Sequence, residues 1–115
     1  MTDNAINKAV YDELKEAAGA EFVVELVTAF LEEAPGMFEE INTALAAADA
    51  DGFRRAAHSL KSNAQVFGAD ALATQARALE LMETAQTTPE VQGLVAQLEA
   101  EFKRTADALK GLQNG

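Results

Sequence analysis

His58 is the single histidine of the chain, and Lys61, Ser62 and Gln65 follow it at helical spacing. Imidazole is the side chain that changes charge near neutral pH without a perturbing environment, and its ring nitrogens are nucleophilic. Lys61, three positions on, lies on the neighbouring face of a helix and can donate a hydrogen bond to an anion held on the ring. This combination predicts that His58 meets an anionic group.

The helix that carries His58 is predicted to hold the imidazole in solvent. With a rotation of about 100° per residue, the apolar residues fall within about 60° of Phe53, whereas His58 lies about 140° away. The apolar set is Ala56, Ala57, Leu60, Ala64 and Phe67. An exposed imidazole on a convex helix, with small groups beside it, favours chemistry that a partner protein completes.

The composition excludes several classes of protein. The 115 residues carry a formal net charge of −10 and contain no cysteine. Disulfides, cysteine-bound zinc and thiol catalysis are therefore ruled out, and nucleic acids and anionic membranes are disfavoured as partners. No segment approaches the ~18 apolar residues of a membrane span, and the N-terminus lacks the regions of a signal peptide. We expect one cytoplasmic domain over residues 1–115.

Basic residues are concentrated around His58, since Arg54, Arg55 and Lys61 are three of the nine in the chain. From charge alone a solvated basic helix face is the favoured interpretation, and a surface for a small anion is the alternative. Other chemistries lack their residues. One histidine cannot supply the paired ligands of a di-iron bundle, and no Gly-rich phosphate loop is present. We therefore expect neither a metal site nor a nucleotide site.

The elements that must position His58 are all predicted to be helices. Helix formers dominate, and no segment alternates with a period of two residues. Five helices are expected, over residues 4–18, 20–48, 52–67, 70–85 and 89–110. Asp3 or Asn4, Asp51 and Thr88 are the expected N-caps, and Pro35 is expected to kink the second helix. The short connections favour antiparallel neighbours and an up-down bundle.

The segment around His58 resembles a known family. Residues 57–69, Ala-His-Ser-Leu-Lys-Ser-Asn-Ala-Gln-Val-Phe-Gly-Ala, are similar to the His-x-Leu-Lys-Gly…Gly-Ala signature of histidine phosphotransfer (HPt) domains. The resemblance extends over roughly residues 20–110. Ser62 departs from it, because the family most often has glycine there. The resemblance implies an all-α, antiparallel four-helix bundle, here with an additional N-terminal helix.

For function, the resemblance implies a phosphocarrier of a multistep phosphorelay and not an enzyme. His58 would accept a phosphoryl group from the aspartyl phosphate of a response-regulator receiver domain and pass it to another receiver. Lys61 would balance the phosphoryl charge. Receivers and a hybrid sensor kinase are the expected partners, a receiver would supply Mg²⁺, and the chain is expected to be a monomer without a cofactor of its own. The expected partner-binding residues are Arg54, Arg55, Ser62, Gln65 and Gly68.

Two alternatives remain open at this point. The chain could be a helical adaptor that binds a receiver without accepting phosphate, although intact His58, Lys61 and Gly68 argue against degeneracy. It could also be a module excised from a hybrid sensor kinase.

Glu80 is the expected partner of the imidazole. The outer nitrogen, Nε2, attacks only when it is unprotonated, so the proton of the neutral ring must lie on Nδ1. An acceptor must then fix that tautomer, and Lys61 offers only donors. Helices that run antiparallel from the Gly68 turn place residues 58 and 80 at similar heights, where the resemblance also places a polar partner. The alternative is that Glu80 is a solvated helix residue.

Overall fold

The computed structural model describes residues 5–82 and 88–114, in which every regular element is a helix. The helices are α1 (Lys8–Ala18), α2 (Ala20–Ala46), α3 (Ala50–Val66), α4 (Asp70–Glu80) and α5 (Pro89–Asn114). Helices α2 to α5 form an antiparallel up-down four-helix bundle, and α1 packs on α2 and α3. The predicted all-α bundle with an additional N-terminal helix is confirmed.

The apolar stripe of α3 faces the core of the bundle. Phe53, Ala57, Leu60 and Ala64 are almost completely buried, because they recur at the three- and four-residue spacing that lines one side of a helix. His58 lies on the other side and is exposed. Within the described residues, no helix has the length and apolar character to cross a lipid bilayer.

The first helix begins later than its sequence predicts. It starts at Lys8, and Asn7 is its N-cap, whose side-chain oxygen accepts from the backbone N–H groups of Ala9 and Val10. The expected caps, Asp3 and Asn4, lie outside the described residues. The start is set by tertiary structure, since the Asn7 backbone N–H donates to the Gly68 carbonyl at 2.7 Å.

The turn between α2 and α3 differs from the expectation in its cap. Asp49, and not Asp51, is the N-cap of α3, and its Oδ1 accepts from the Gly52 N–H at 3.0 Å. Asp51 lies in the first turn and pairs with Arg54. Helix α2 is continuous through Pro35 and ends at Ala46, two residues before the expected end.

The ends of the last two helices also shift. The expected extension of α4 to residue 85 is wrong at residues 81 and 82, because the Met82 N–H donates to the Leu79 carbonyl and closes a tighter turn; residues 83–87 lie outside the described part. The Thr88 hydroxyl accepts from the Val91 N–H, as expected of an N-cap. Helix α5 continues beyond its expected end at residue 110. In this extension, the side-chain amide of Gln113 donates hydrogen bonds to the Val24 carbonyl and the Thr28 hydroxyl of α2.

Gly68 fixes the turn that joins α3 to α4. Its φ is +76°, in the left-handed region that favours glycine. A Cβ there would lie 2.8 Å from the Asn7 carbonyl oxygen and 2.8 Å from the Val10 Cβ. This close approach packs the start of α1 against the turn, and the turn sets the register of α3 against α4.

Candidate functional site

His58 stands on the outer face of α3, where 57% of its side chain is accessible to solvent. The two neighbours of His58 in the sequence lie on opposite sides of the helix: Ala57 is fully buried and Ser59 is exposed. The imidazole is therefore anchored by a rigid helix while its outer edge remains open to another protein.

Glu80, the last residue of α4, contacts the imidazole as the sequence argument expects. Its Oε2 lies 2.5 Å from His58 Nδ1. An ionised carboxylate has only acceptors, so Nδ1 must be the donor in this hydrogen bond. In the neutral ring the proton therefore lies on Nδ1, and the lone pair of Nε2 is directed away from Glu80.

Lys61 occupies the other oxygen of the same carboxylate. Its Nζ lies 2.6 Å from Glu80 Oε1, and the two side chains are only 18% and 17% exposed. The hydrogen bond from Lys61 is the main cause that lowers the pKa of Glu80, the hydrogen bond from His58 adds to it, and partial burial opposes both. Glu80 is consequently ionised at neutral pH and is held by donors from two positions one turn apart on α3.

The expected partner-binding residues lie in different surroundings. Arg54 is exposed but pairs with Asp51 at 2.9 Å, and Arg55 is exposed at the next position. Ser62 is half-buried and Gln65 is exposed. All four lie on α3 within about 60° of His58 around the helix axis, so they flank it on one exposed face.

Gly68 does not belong to that surface. It is buried beneath the start of α1, against Asn7 and Val10. Its closeness to His58 in sequence reflects the short turn between α3 and α4, and its contacts are those of a packing position.

Arg77 is a cation that the sequence argument did not include in the site. It lines a shallow depression of about 260 Å³ together with Lys61, Gln65 and Asp70. Its position three residues before Glu80 was the available signal, because residues three apart on a helix share a face.

Leu81 is an apolar residue that was also missed. It directly follows Glu80, and 66% of its surface is exposed. The sequence signal was its position two residues after the buried Leu79, which places it about 200° around a helix from the core side. Its exposure and its position next to Glu80 make Leu81 available to a partner that covers His58.

Within residues 5–82 and 88–114, no cluster of three or more histidine, aspartate or glutamate side chains could hold a metal ion.

The sequence model of the Hpt domain family matches residues 25–112. This range includes His58, Lys61 and Glu80 and omits α1. No curated protein matches the chain in sequence at a significant level.

Two solved structures share the fold over nearly their whole length. Histidine-containing phosphotransfer protein B from Pseudomonas aeruginosa PAO1 superposes with a TM-score of 0.79 at 25% identity, covering 98% of this chain and 97% of the other. The HPT domain of a sensor hybrid histidine kinase from Shewanella superposes with a TM-score of 0.72, covering 98% and 97% of the two chains. At 18% identity, the second similarity supports the fold alone.

Proposed function

Because the chain belongs to the Hpt domain family, we propose that His58 is the residue that carries the phosphoryl group. Membership of this family makes the chain a histidine phosphotransfer protein of a phosphorelay, a carrier module. The observation that supports His58 in this role is the hydrogen bond from its Nδ1 to Glu80, which leaves a nucleophilic Nε2 on the open side of the ring.

In the proposed reaction, the lone pair of Nε2 forms a bond to the phosphorus of an aspartyl phosphate. The bond from phosphorus to the aspartyl oxygen breaks, and the carboxylate leaves with that electron pair. The Nδ1 proton stays on the ring, which gains positive charge, and the ionised Glu80 compensates it. Reversal of these steps on a second aspartate completes the transfer.

Lys61 has two proposed roles, one before the transfer and one toward the incoming phosphoryl group. Before transfer it orients Glu80 through Oε1. An ammonium group has three donors, so the bond to Glu80 leaves two that can meet the phosphoryl oxygens. Arg77, which lines the same depression, is a second source of positive charge on that side.

The receiver partner is proposed to supply the acidic pocket and Mg²⁺, because phosphoryl transfer depends on positioning and charge stabilisation. A convex, exposed imidazole provides the nucleophile but little enclosure. We propose that receivers and a hybrid sensor kinase dock over His58, with Arg54, Arg55, Ser62, Gln65 and Leu81 at the edge of contact. We further propose that residues 1–115 act as one monomeric, cytoplasmic module.

The test is His58→Ala, with Ser59→Ala as a matched control at the next exposed position of α3. Incubation with a phosphorylated receiver should label the wild type and the control with acid-labile phosphate and should not label His58→Ala. Ser59→Ala should change the free energy of unfolding within about 0.5 kcal/mol, whereas His58→Ala, which loses the hydrogen bond to Glu80, should lower it by at most roughly 1.5–3 kcal/mol and stay folded. Labelling of the mutant at the wild-type level would reject His58. Receiver binding without labelling of the wild type would instead identify a non-phosphorylated adaptor.

A further inference from the structure

A groove runs along the seam between α2 and α5. One section has a volume of about 780 Å³, and a second section of about 330 Å³ continues it toward the start of α5. Asn42, Ala46 and Glu99 line both sections, so they form one continuous feature. We call it the α2–α5 groove.

The α2–α5 groove exists because this seam is loosely closed. Helix α2 packs much more extensively on α3 than on α5. The rings of Phe38 and Phe102 meet across the seam with their centres 5.4 Å apart, and both line the groove. Ala46 and Ala96 have side chains too small to fill the remaining space. Two aromatic rings therefore form the floor of the groove, and small side chains form its sides near Ala46.

The groove is separate from the phosphotransfer site. His58 and Glu80 lie on α3 and α4, whereas the groove lies between the other two helices of the four-helix bundle. In an antiparallel four-helix bundle the α3–α4 seam and the α2–α5 seam are on opposite sides. A receiver over His58 therefore leaves the groove free.

The charge at the groove is mainly negative. Glu39 on α2 and Glu99 on α5 are exposed on opposite walls, and Lys103 is the cation that lines it. Glu32 lies seven residues before Glu39, on the same face of α2. The whole chain adds a net charge of −10, so the field around this apolar floor attracts cations.

We propose that the α2–α5 groove binds a basic amphipathic helix of another protein. The lining from Pro35 to Ala46 spans twelve residues of α2, or about 16 Å from the first to the last, which is the length of about three helical turns. An apolar stripe on the incoming helix covers Phe38 and Phe102, while its lysines or arginines lie beside Glu39 and Glu99. The apolar contacts supply affinity and the carboxylates select a cationic partner.

Charge and shape argue against the other occupants. A second copy of this chain brings another net charge of −10, which opposes self-association through an acidic groove. A small molecule would be covered on one side only, because the groove is open along its length.

The experiment titrates ¹⁵N-labelled protein with a peptide of about 18 leucines and lysines, long enough to form a helix by itself. Leucines follow helical spacing, and a control peptide has glutamate in place of lysine. Amide shifts should concentrate at Asn42, Ala46, Ala96 and Glu99. Ala46→Arg should weaken binding about tenfold or more, by bulk and like charge, whereas Ala100→Arg, on an exposed position of α5 outside the groove, should bind within about twofold of wild type.

A second variant distinguishes a loss of binding from misfolding of the Ala46→Arg protein. Glu39→Gln combined with Glu99→Gln changes no side-chain size appreciably and should lower both the affinity and its dependence on salt. His58→Ala should bind the peptide like wild type, which keeps this result independent of phosphotransfer. The proposal is overturned if the glutamate peptide binds equally, if Ala46→Arg has no effect, or if shifts concentrate around His58. Self-association that Ala46→Arg abolishes would assign the groove to a second copy instead.

Discussion

The carboxylate of Glu80 accepts hydrogen bonds from two donors, one at each oxygen. Oε2 receives the His58 Nδ1 proton and Oε1 receives Lys61. Two bonds to one rigid group restrict its rotation, so the bond to the imidazole gains direction as well as charge. We therefore regard Glu80 as the residue that selects which imidazole nitrogen is free to react.

Glu80→Gln tests this selection. An amide has a single carbonyl oxygen, so it cannot accept from His58 and Lys61 in the way that a carboxylate does. We expect phosphorylation of His58 to slow by roughly 1.5–3 kcal/mol in activation free energy, the value of a hydrogen bond to a charged group. The ¹⁵N shifts of the imidazole should show a smaller fraction with the proton on Nδ1. An unchanged rate together with unchanged shifts would exclude the proposed orientation.

The lowered pKa of Glu80 predicts a pH dependence of stability. The folded state holds this pKa below its ordinary value of 4.5, chiefly through Lys61. The ionised carboxylate thus contributes stability that is present above pH 4.5 and is lost as the pH falls through the lower folded pKa. The difference in unfolding free energy between wild type and Glu80→Gln should shrink as the pH falls below 4.5. Urea titrations at several pH values measure it.

Lys61→Met is the companion variant for that experiment. It removes the largest cause of the lowered pKa while it keeps an unbranched side chain of similar length. The free energy of unfolding of Lys61→Met should therefore fall less below pH 4.5 than that of wild type does. An acid dependence identical to that of wild type would show that Lys61 does not stabilise the Glu80 carboxylate.

At the scale of the elements, the α3–α4 turn decides whether His58 and Glu80 meet. Gly68 allows that turn, and α1 packs directly on it. Gly68→Ala should destabilise the fold by about 1–3 kcal/mol, because it adds a strained φ and a steric clash. Gly93→Ala is the matched control, since a Cβ there meets nothing within 4 Å and alanine favours the helix by about 0.5–1 kcal/mol.

Thermal and urea unfolding should therefore show a lower free energy of unfolding for Gly68→Ala and a higher one for Gly93→Ala. The Gly68 variant should also lose more phosphotransfer than its unfolded fraction accounts for, because the register between α3 and α4 depends on this turn. A Gly68 variant as stable as wild type would contradict the packing role.

At the scale of the whole molecule, the chain must approach its partners with a net charge of −10. Arg54 and Arg55 are both exposed near His58, but Asp51 already compensates Arg54. We therefore expect Arg55→Gln to slow association with a receiver more than Arg54→Gln does, by roughly threefold at low salt. Stopped-flow association over a range of salt concentrations checks this order. Equal salt slopes for wild type and Arg55→Gln would reject a role in encounter.

The sequence alone determined the class of the fold and the position of the proposed phosphoacceptor. Apolar residues at helical spacing placed Phe53 and Leu60 inside and His58 outside, because helix periodicity is a local property of the chain. The sequence also made Glu80 the expected partner of His58, from the antiparallel direction of the two helices and from the family resemblance, but only the structure excluded a solvated Glu80.

Tertiary structure alone decided the helix ends and the second bond of Glu80. Asn7 became a cap because α1 packs against the Gly68 turn, a contact that spans over sixty residues of sequence and leaves no local pattern. The same holds for Lys61, whose ammonium is held by a carboxylate nineteen residues away, and for the α2–α5 groove. Local spacing fixes which face a side chain occupies, whereas the distance between two faces depends on how the whole bundle packs.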